Sequence, residues 1–236
     1  MKKTILNSRL CSAAGFVRQG ALFADIGTDH AYLPLFLLES GRISHAVCSD
    51  VNAGPLESAR RNVEAAGYSD SIDFYLTDGA AALSGLGITD FAICGMGGEL
   101  ISNIIERAPY LADPKINLIL QPMTRQAHLR SYLASHGFHA SDERYTYETG
   151  KYYVCLLANY TGGVREISPS EAEIGCPDTR PEERDARVGY LYARAASLSR
   201  AVRGKGEGAL AERGVLADVL AFLGGLGESP CLEKYL

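Results

Sequence analysis

Apolar residues follow two alternating patterns along the first two thirds of the chain. Short apolar runs, typical of buried strands, occupy residues 21–26, 44–50, 91–94 and 117–121, and residues 72–76 alternate between apolar and polar, as a half-buried strand does. Segments with apolar residues at every third or fourth position follow most of them, beginning near Tyr32, Pro55, Leu100 and Arg125. This order predicts a mostly parallel sheet with helices on both faces, a Rossmann-like α/β fold.

The pattern changes at both ends of this region. Apolar residues from Leu6 to Val17 recur at helical spacing, which predicts an amphipathic helix over the first twenty residues. Near residue 140 two longer segments, 138–148 and 151–160, flank Thr149-Gly150 and predict a hairpin. That hairpin would close the sheet with an antiparallel strand.

The last third of the chain predicts an appendage. Residues 162–181 are rich in Gly, Pro, Ser and Glu, as linkers are. Val188, Leu191 and Ala195 then begin a coiled-coil-like seam, and after a glycine-rich break at 204–208 a second apolar face begins at Leu216. The predicted domains are therefore a core of residues 1–161, a linker of residues 162–181 and a helical hairpin extension of residues 182–236.

Composition limits the classes of function. No apolar run is long enough to cross a membrane, and polar residues 7–9 interrupt a faint resemblance to a signal peptide. We therefore expect a cytoplasmic protein. We also expect a monomer. Six scattered cysteines without a C-x-x-C motif predict reduced thiols, and His128, His136 and His139 without metal spacing predict no metal site. The net charge of −5 argues against broad adhesion to nucleic acid, although a local basic face remains possible.

The turn after the first strand, D-I-G-T-D-H, carries the first chemical signal. A dinucleotide turn needs G-x-G-x-x-G, but after Gly27 the next two glycine positions hold Asp29 and Tyr32. A carboxylate about 4 Å from a phosphate charge costs roughly 4 kcal/mol at an effective dielectric constant near 20. The turn therefore favours a phosphate-free nucleoside with positive groups, such as S-adenosylmethionine. The alternative is an ordinary turn with Asp29 as the helix N-cap.

Three successive strands end in an acid, namely Asp25, Asp50 and Asp78. Because parallel strands end at the same edge of a sheet, we expect these carboxylates to share one rim. Asp50 lies 23 residues after Gly27, close to the offset at which an acid meets ribose hydroxyls. Asp78 and the amide of Gly79 could hold an adenine ring. Helix capping by Asp50 and a plain Asp-Gly turn are the alternatives.

Later segments add candidates on the same rim. Gly95-Met96-Gly97-Gly98 lets the backbone approach a flat ligand, with packing as the alternative for Met96. Gln121-Pro122 follows the fifth strand, where Gln121 suits a base edge or a cap. Arg9 is either a lid contact to the cofactor or part of a solvated face.

The predicted extension contains a basic segment. Between residues 186 and 206 there are five cations and no acid, with Tyr190 and Tyr192 among them. Such a patch can follow a phosphate backbone, and a solvated helix exterior is the alternative. The four arginines of the patch are Arg187, Arg194, Arg200 and Arg203.

These motifs together resemble the bacterial tRNA (adenine(22)-N1)-methyltransferases. The resemblance lies in A-D-I-G-T-D-H-A-Y-L-P from Ala24, Asp50, T-D-G at 77–79, C-G-M-G-G at 94–98 and L-Q-P at 120–122, and it covers about residues 5–160. It implies a class I methyltransferase fold, S-adenosylmethionine as cofactor, tRNA as substrate and a helical C-terminal extension.

The candidate residues named so far then divide into three groups by expected role. Catalysis would fall to Asp29, with His30 and Tyr32 positioning or stacking on the base. Substrate contacts would come from Gln121, Pro122 and the four arginines. The cofactor would be held by Arg9, Asp25, Gly27, Asp50, Val51, Asp78, Gly79, Gly95 and Met96.

Two other classes of function stay open at this point. One is an enzyme of the same fold that acts on another RNA or on a small molecule. The other is a noncatalytic cofactor-binding or assembly module, with the helical extension as a partner surface. The lack of D-P-P-Y or N-P-P-Y after the fourth strand argues, by family comparison, against methylation of an exocyclic amino group.

Overall fold

A computed structural model of the chain describes residues 3–176 and 180–229. The described residues form seven strands and eight α-helices. The strands are β1 (Phe23–Ile26), β2 (Ala46–Asp50), β3 (Ile72–Leu76), β4 (Asp90–Gly97), β5 (Asn117–Thr124), β6 (Phe138–Glu148) and β7 (Lys151–Tyr160). The helices are α1 (Ser8–Ala14), α2 (Tyr32–Glu39), α3 (Ala53–Ala66), α4 (Gly98–Glu106), α5 (Gln126–Ser135), α6 (Pro169–Ile174), α7 (Arg184–Lys205) and α8 (Leu210–Gly225).

All seven strands belong to one sheet in the order β3-β2-β1-β4-β5-β7-β6. Strands β1 to β5 are parallel, whereas β7 runs antiparallel to both β5 and β6. The strand order reverses direction between β1 and β4, and ligands of open α/β sheets bind at such a switch point. The Rossmann-like fold with an antiparallel hairpin is confirmed.

Helices cover both faces of the sheet. On one face α1, α2 and α3 bury residues such as Ala13, Leu37 and Val63 against the sheet. On the other face α4 and α5 pack against β4 and β5, and the buried cluster continues without a break into Leu191 and Leu220 of α7 and α8. The C-terminal hairpin therefore shares the core of the sheet. None of the described helices is both long and apolar enough to span a bilayer.

The strand predictions agree with the structure. The β6–β7 hairpin has the predicted bounds on both sides of Thr149-Gly150, and β3 has its predicted bounds too. β4 and β5 continue three residues beyond the predicted strands, with irregular pairing between Cys94 and Gly97. Such bulges bend a strand and aim its side chains, here at the carboxyl edge.

Two predictions about helices were wrong in part. The amphipathic N-terminal helix is limited to α1, which ends at Gly15. The predicted linker contains a packed helix, α6, which begins with a capping box between Ser168 and Glu171 and buries Ala172. Residues 177–179 of that linker and 230–236 of the predicted extension lie outside the described residues.

Candidate active site

A cavity of about 380 Å³ opens at the carboxyl edge of the sheet, where β1 and β4 end and α1 begins. Seven of the predicted site residues line it, namely Arg9, Asp25, Gly27, Asp29, His30, Tyr32 and Gly95. Asn7, the N-cap of α1, and Leu10 of α1 also line the cavity. Only the helical periodicity of the first segment could have indicated them. A second cavity of about 440 Å³ lies between α5, β6 and α6, towards the opposite edge, and is lined by other residues.

Two glycines that line the cavity each leave space for a neighbouring side chain. Gly27 has a φ of +77°, and a Cβ built on it would lie 2.0 Å from the Cε atom of Met96. Met96 therefore packs against the turn, which favours the packing alternative for this residue. Gly95 has a φ of +79°, and its missing side chain leaves space for the Arg9 guanidinium, 3.5 Å from where a Cβ would be. Larger residues at either glycine would force the backbone or its neighbour to move.

The Asp25 side chain lies in the floor of the cavity. Burial raises the pKa of its carboxyl group to about 6, a hydrogen bond from the Thr28 side chain lowers it, and the Asp50 carboxylate adds a further raising effect. The Thr28 hydroxyl lies 2.6 Å from the Asp25 Oδ2 atom. A buried carboxylate in this position gains most from a ligand that brings a positive charge.

Asp29, His30 and Tyr32 stand at the mouth of the cavity. The Asp29 side chain is 71% exposed, and its Oδ2 atom lies 3.3 Å from the His30 Nε2 atom. The His30 and Tyr32 rings are 5.2 Å apart at an angle of 33°. The N-cap of α2 is Ala31, so the capping alternative for Asp29 is wrong. The Asp29 carboxylate is therefore available to a ligand that enters the cavity.

Arg9 reaches across the cavity to the end of β5. Its Nη1 atom donates a hydrogen bond of 2.7 Å to the Gln121 Oε1 atom, which also accepts one of 3.1 Å from the Gly95 amide. The Arg9 amide is held by the Glu148 carboxylate at 3.1 Å. Arg9 thus lies where a lid contact was predicted, anchored by the β6–β7 hairpin.

Gln121 and Pro122 lie on the predicted rim but are buried there. The Gln121 side chain is fully buried and its carbonyl oxygen is engaged by Arg9 and Gly95, so contact with a base edge is wrong for this residue. Pro122 is buried and pairs with Met96 in the sheet. The uninterrupted apolar run from Leu118 to Leu120 already indicated a buried strand here. The exposed apolar residue at this tip is Met123.

The other two acidic strand ends, Asp50 and Asp78, do not line the cavity. Asp50 is half-buried, and its Oδ1 atom accepts a hydrogen bond of 2.7 Å from the Asn52 amide. The adjoining Val51 is exposed. Asp78 forms an exposed ion pair of 2.8 Å with Arg107, and Gly79 packs against Ile104. Asp25 and Asp50 therefore act on one another, whereas the Asp78 carboxylate already has a cationic partner.

The basic patch is smaller than predicted. Arg187 is fully buried, with its guanidinium 4.9 Å from the Phe222 ring and donating to the Cys176 carbonyl oxygen, so an RNA contact by this residue is wrong. Arg194 is one quarter exposed and forms two hydrogen bonds of 2.8 Å with Glu173. Arg200 and Arg203 are exposed on α7. Arg187 lies four residues before Leu191 on the apolar seam, and that spacing could have identified its burial.

The remaining candidates have structural roles. Cys48 and Cys155 are buried free thiols, and burial raises the pKa of both. His128, His136 and His139 are exposed, as predicted. Within residues 3–176 and 180–229 no group of three metal-ligating side chains comes together.

The donor set suits one type of ligand. The carboxylates of Asp25 and Asp50 fit the positive groups and the ribose diol of a nucleoside ligand, Arg9 fits a carboxylate, and Asp29 stays exposed at the mouth of the cavity. Gly27 and Gly95 line the cavity, so a ligand bound there would contact their backbone directly. These groups fit S-adenosylmethionine, and they oppose the phosphates of a dinucleotide.

A family model described as a methyltransferase domain matches residues 6–156. The tRNA (adenine(22)-N(1))-methyltransferase of Bacillus subtilis is 35% identical over 158 residues, which cover 67% of this chain and 66% of that protein. This match therefore spans slightly less than two thirds of the curated relative.

Solved structures match over nearly the whole chain. Streptococcus pneumoniae Sp1610, provisionally assigned as a tRNA (m1A22) methyltransferase, is 35% identical, with coverage of 94% of this chain and 99% of that chain and a TM-score of 0.78. A second crystal structure of Sp1610 contains S-adenosyl-L-methionine. Mycoplasma capricolum TrmK, solved with S-adenosyl-homocysteine, is 26% identical, with coverage of 93% and 98% and a TM-score of 0.78.

Proposed function

The chain belongs to the methyltransferase domain family, in the group of tRNA (adenine(22)-N1)-methyltransferases, and on that premise we propose that it methylates N1 of an adenosine in tRNA, at position 22. Its cofactor is S-adenosylmethionine. The observation that carries the proposal is the single cavity in which Asp25, Gly27, Asp29 and Gly95 meet.

The chemistry demands alignment more than proton transfer. Adenine N1 has its own lone pair, so no residue has to act as a general base. When bound, S-adenosylmethionine supplies an electrophilic methyl group. The turn after β1 and the Gly95 backbone would hold the cofactor, and alignment of its methyl group with adenine N1 would supply much of the rate in such a reaction.

Asp29 supplies the electrostatic part of the mechanism. Methylation at N1 leaves a positive charge on the base, and a carboxylate at the mouth of the cavity stabilises this charge as it develops. Asp29 is exposed there in the free protein and would lose water when a base covers it. His30 and Tyr32 present adjacent rings, which suit stacking on a base that has been turned out of the folded tRNA.

The extension supports binding of the tRNA backbone. Arg200 and Arg203 are exposed on α7, whose helix packs beside the β6–β7 hairpin. A tRNA substrate would place the enzyme in the cytoplasm.

The decisive experiment maps the modified nucleotide. The full chain is incubated with unmodified tRNA and labelled cofactor, and methylated positions are located by mass spectrometry and by primer-extension stops. We expect N1-methyladenosine at position 22. Label in a metabolite extract or in another RNA, with none in tRNA, would contradict the proposal.

Asp29→Asn tests the role of the Asp29 carboxylate, because it removes the charge and keeps the shape of the side chain. We expect it to bind cofactor normally by calorimetry and to lose methyl transfer by about a hundredfold. Full activity in this variant would remove Asp29 from the mechanism while leaving the activity itself in place.

A further inference from the structure

The loop at the mouth of the cavity contains an unusual backbone conformation. Ala31 has φ 54° and ψ 26°, in the left-handed region. Alanine rarely adopts this region because its Cβ crowds a neighbouring carbonyl oxygen. Such conformations persist where the surrounding structure holds them, and they are frequent at functional sites. The residues before Ala31 are Asp29 and His30, so this conformation decides where both side chains point.

The first anchor of the loop is strand β2. The amides of Gly27 and Thr28 donate hydrogen bonds of 2.7 and 2.9 Å to the Ser49 carbonyl oxygen. The Thr28 hydroxyl is held by Asp25. These contacts fix the start of the loop and leave Asp29 exposed.

The second anchor is helix α3. The Asn62 Nδ2 atom donates a hydrogen bond of 3.0 Å to the His30 carbonyl oxygen, across 32 residues of sequence. Asn62 is half-buried, and the helix that carries it is fixed to the sheet by Leu56, Ala59 and Val63. The contact falls on the peptide unit that joins His30 to Ala31, next to the left-handed residue.

We propose that Asn62 is a positioning residue for methyl transfer. By holding the His30 carbonyl oxygen it keeps Ala31 in the left-handed conformation and keeps the Asp29 and His30 side chains at the mouth of the cavity. The role in methyl transfer rests on the proposed function. Asn62 itself acts through the loop, without touching the reacting atoms.

Asn62→Asp tests this most sharply. The carboxylate has the same shape as the amide but no hydrogen to donate, and it repels the His30 carbonyl oxygen. We expect kcat for tRNA methylation to fall about tenfold, with KM for the cofactor within twofold and an unchanged melting temperature. A loss of activity that follows a loss of melting temperature would overturn the positioning role, because it would show that Asn62 is needed only for folding.

Ala31→Gly provides a second test, because glycine adopts the left-handed region without strain. With Ala31→Gly as the reference protein, adding Asn62→Asp should lower kcat less than threefold. If Asn62→Asp lowered kcat tenfold both in the wild type and in Ala31→Gly, the proposal that Asn62 acts through the strained backbone at Ala31 would be overturned.

A readout independent of activity completes the design. Hydrogen–deuterium exchange of a peptide covering residues 27–33 should be at least tenfold faster in Asn62→Asp than in the wild type. Gln19→Ala is the matched control, since the Gln19 side-chain amide makes a similar 2.8 Å bond to the Gly41 carbonyl oxygen at the opposite edge of the sheet. It should change neither kcat nor exchange at 27–33.

The two proposals fail separately. A wild type that does not methylate tRNA contradicts the proposed function, and the exchange measurement then still decides whether Asn62 holds the loop. An active wild type with unchanged exchange and unchanged kcat in Asn62→Asp overturns the inference alone.

Discussion

Asp25 combines deep burial with a position in the floor of the cavity. Its surroundings disfavour the charged form, mainly because burial removes water from the carboxylate, and the nearby Asp50 adds to this effect. A cationic ligand reverses the balance by supplying the missing counter-charge. Binding of cofactor and ionisation of Asp25 are therefore linked.

This linkage predicts the pH dependence of cofactor binding. The raised pKa of about 6 means that Asp25 in the free protein is ionised at pH 7 and largely protonated at pH 5. Because the positive groups of the cofactor prefer the ionised form, its affinity, measured by calorimetry, should fall about tenfold between pH 7 and pH 5. Asp25→Asn should bind weakly at both pH values. The same tenfold fall in Asp25→Asn would contradict the assignment.

Asp50 and Asp78 allow a matched comparison. Asp50→Asn removes a half-buried charge next to Asp25 and should weaken cofactor binding about ten- to a hundredfold, since a charge-assisted hydrogen bond contributes roughly 1.5–3 kcal/mol. Asp78 is exposed and already paired with Arg107, so Asp78→Asn should weaken binding less than threefold. Titration calorimetry of both variants at one pH measures the difference, and the reverse order would contradict it.

Burial explains which residue predictions failed. Types of side chain and their spacing placed Asp25, Gly27 and Asp29 correctly because the ends of parallel strands meet at one edge. The same reasoning misplaced Arg187 and Gln121, since a cation and an amide were assumed to face water. Gln121 continues the apolar run of β5, and Arg187 lies on the apolar face of α7. At such positions the spacing of apolar residues predicts burial better than the polarity of the side chain itself.

At the scale of elements, local signals determined what could be predicted. Thr149-Gly150 between two alternating segments defined the β6–β7 hairpin. Helix α6 was missed because its composition suggested a linker, although S-P-S-E from Ser168 is a capping-box signal. The left-handed conformation of Ala31 had no local signal, because it is imposed by contacts with β2 and α3 that are distant in sequence.

Strand β6 and helix α5 are joined by a buried ion pair. Arg130 and Glu143 are almost fully buried and form hydrogen bonds of 2.7 and 2.9 Å, and the Tyr145 hydroxyl donates to the same carboxylate. The Glu143 carboxylate holds the pKa of Arg130 well above its usual value, despite the opposing effect of burial. Each charge is thus tolerated only in the presence of the other.

Glu143→Gln should therefore destabilise the fold by about 3–5 kcal/mol, because it leaves a buried cation without a counter-charge. Urea unfolding followed by circular dichroism measures the loss. Arg130→Met added to Glu143→Gln should recover most of it, since both charges are then absent. Glu57→Gln, in the exposed pair with Arg61, should change stability by less than about 0.5 kcal/mol. A small effect of Glu143→Gln would contradict the role of the pair.

For the whole molecule, the exposed cations of α7 predict how tRNA binding depends on salt. Reversing Arg200 and Arg203 to glutamate should lower the slope of log affinity against log salt concentration by about 1 to 2, because each phosphate contact contributes about 0.7–0.9. Filter binding over a range of salt concentrations measures the slope. Lys115→Glu changes an exposed cation that lies just before β5, outside the extension, and should leave the slope unchanged. An unchanged slope in the double variant would show that the extension does not contact the RNA.

Helix α6 links the C-terminal hairpin to the rest of the protein through three contacts. Arg130 donates to the Ala172 carbonyl oxygen, Glu173 binds Arg194 of α7, and Ser170 donates to Asp218 of α8. These contacts hold α7 and α8 against the domain that contains the cavity. If the exposed cations of α7 bind the tRNA backbone, as proposed, this fixed attachment would let the enzyme select its adenosine by the distance between the bound backbone and the cavity.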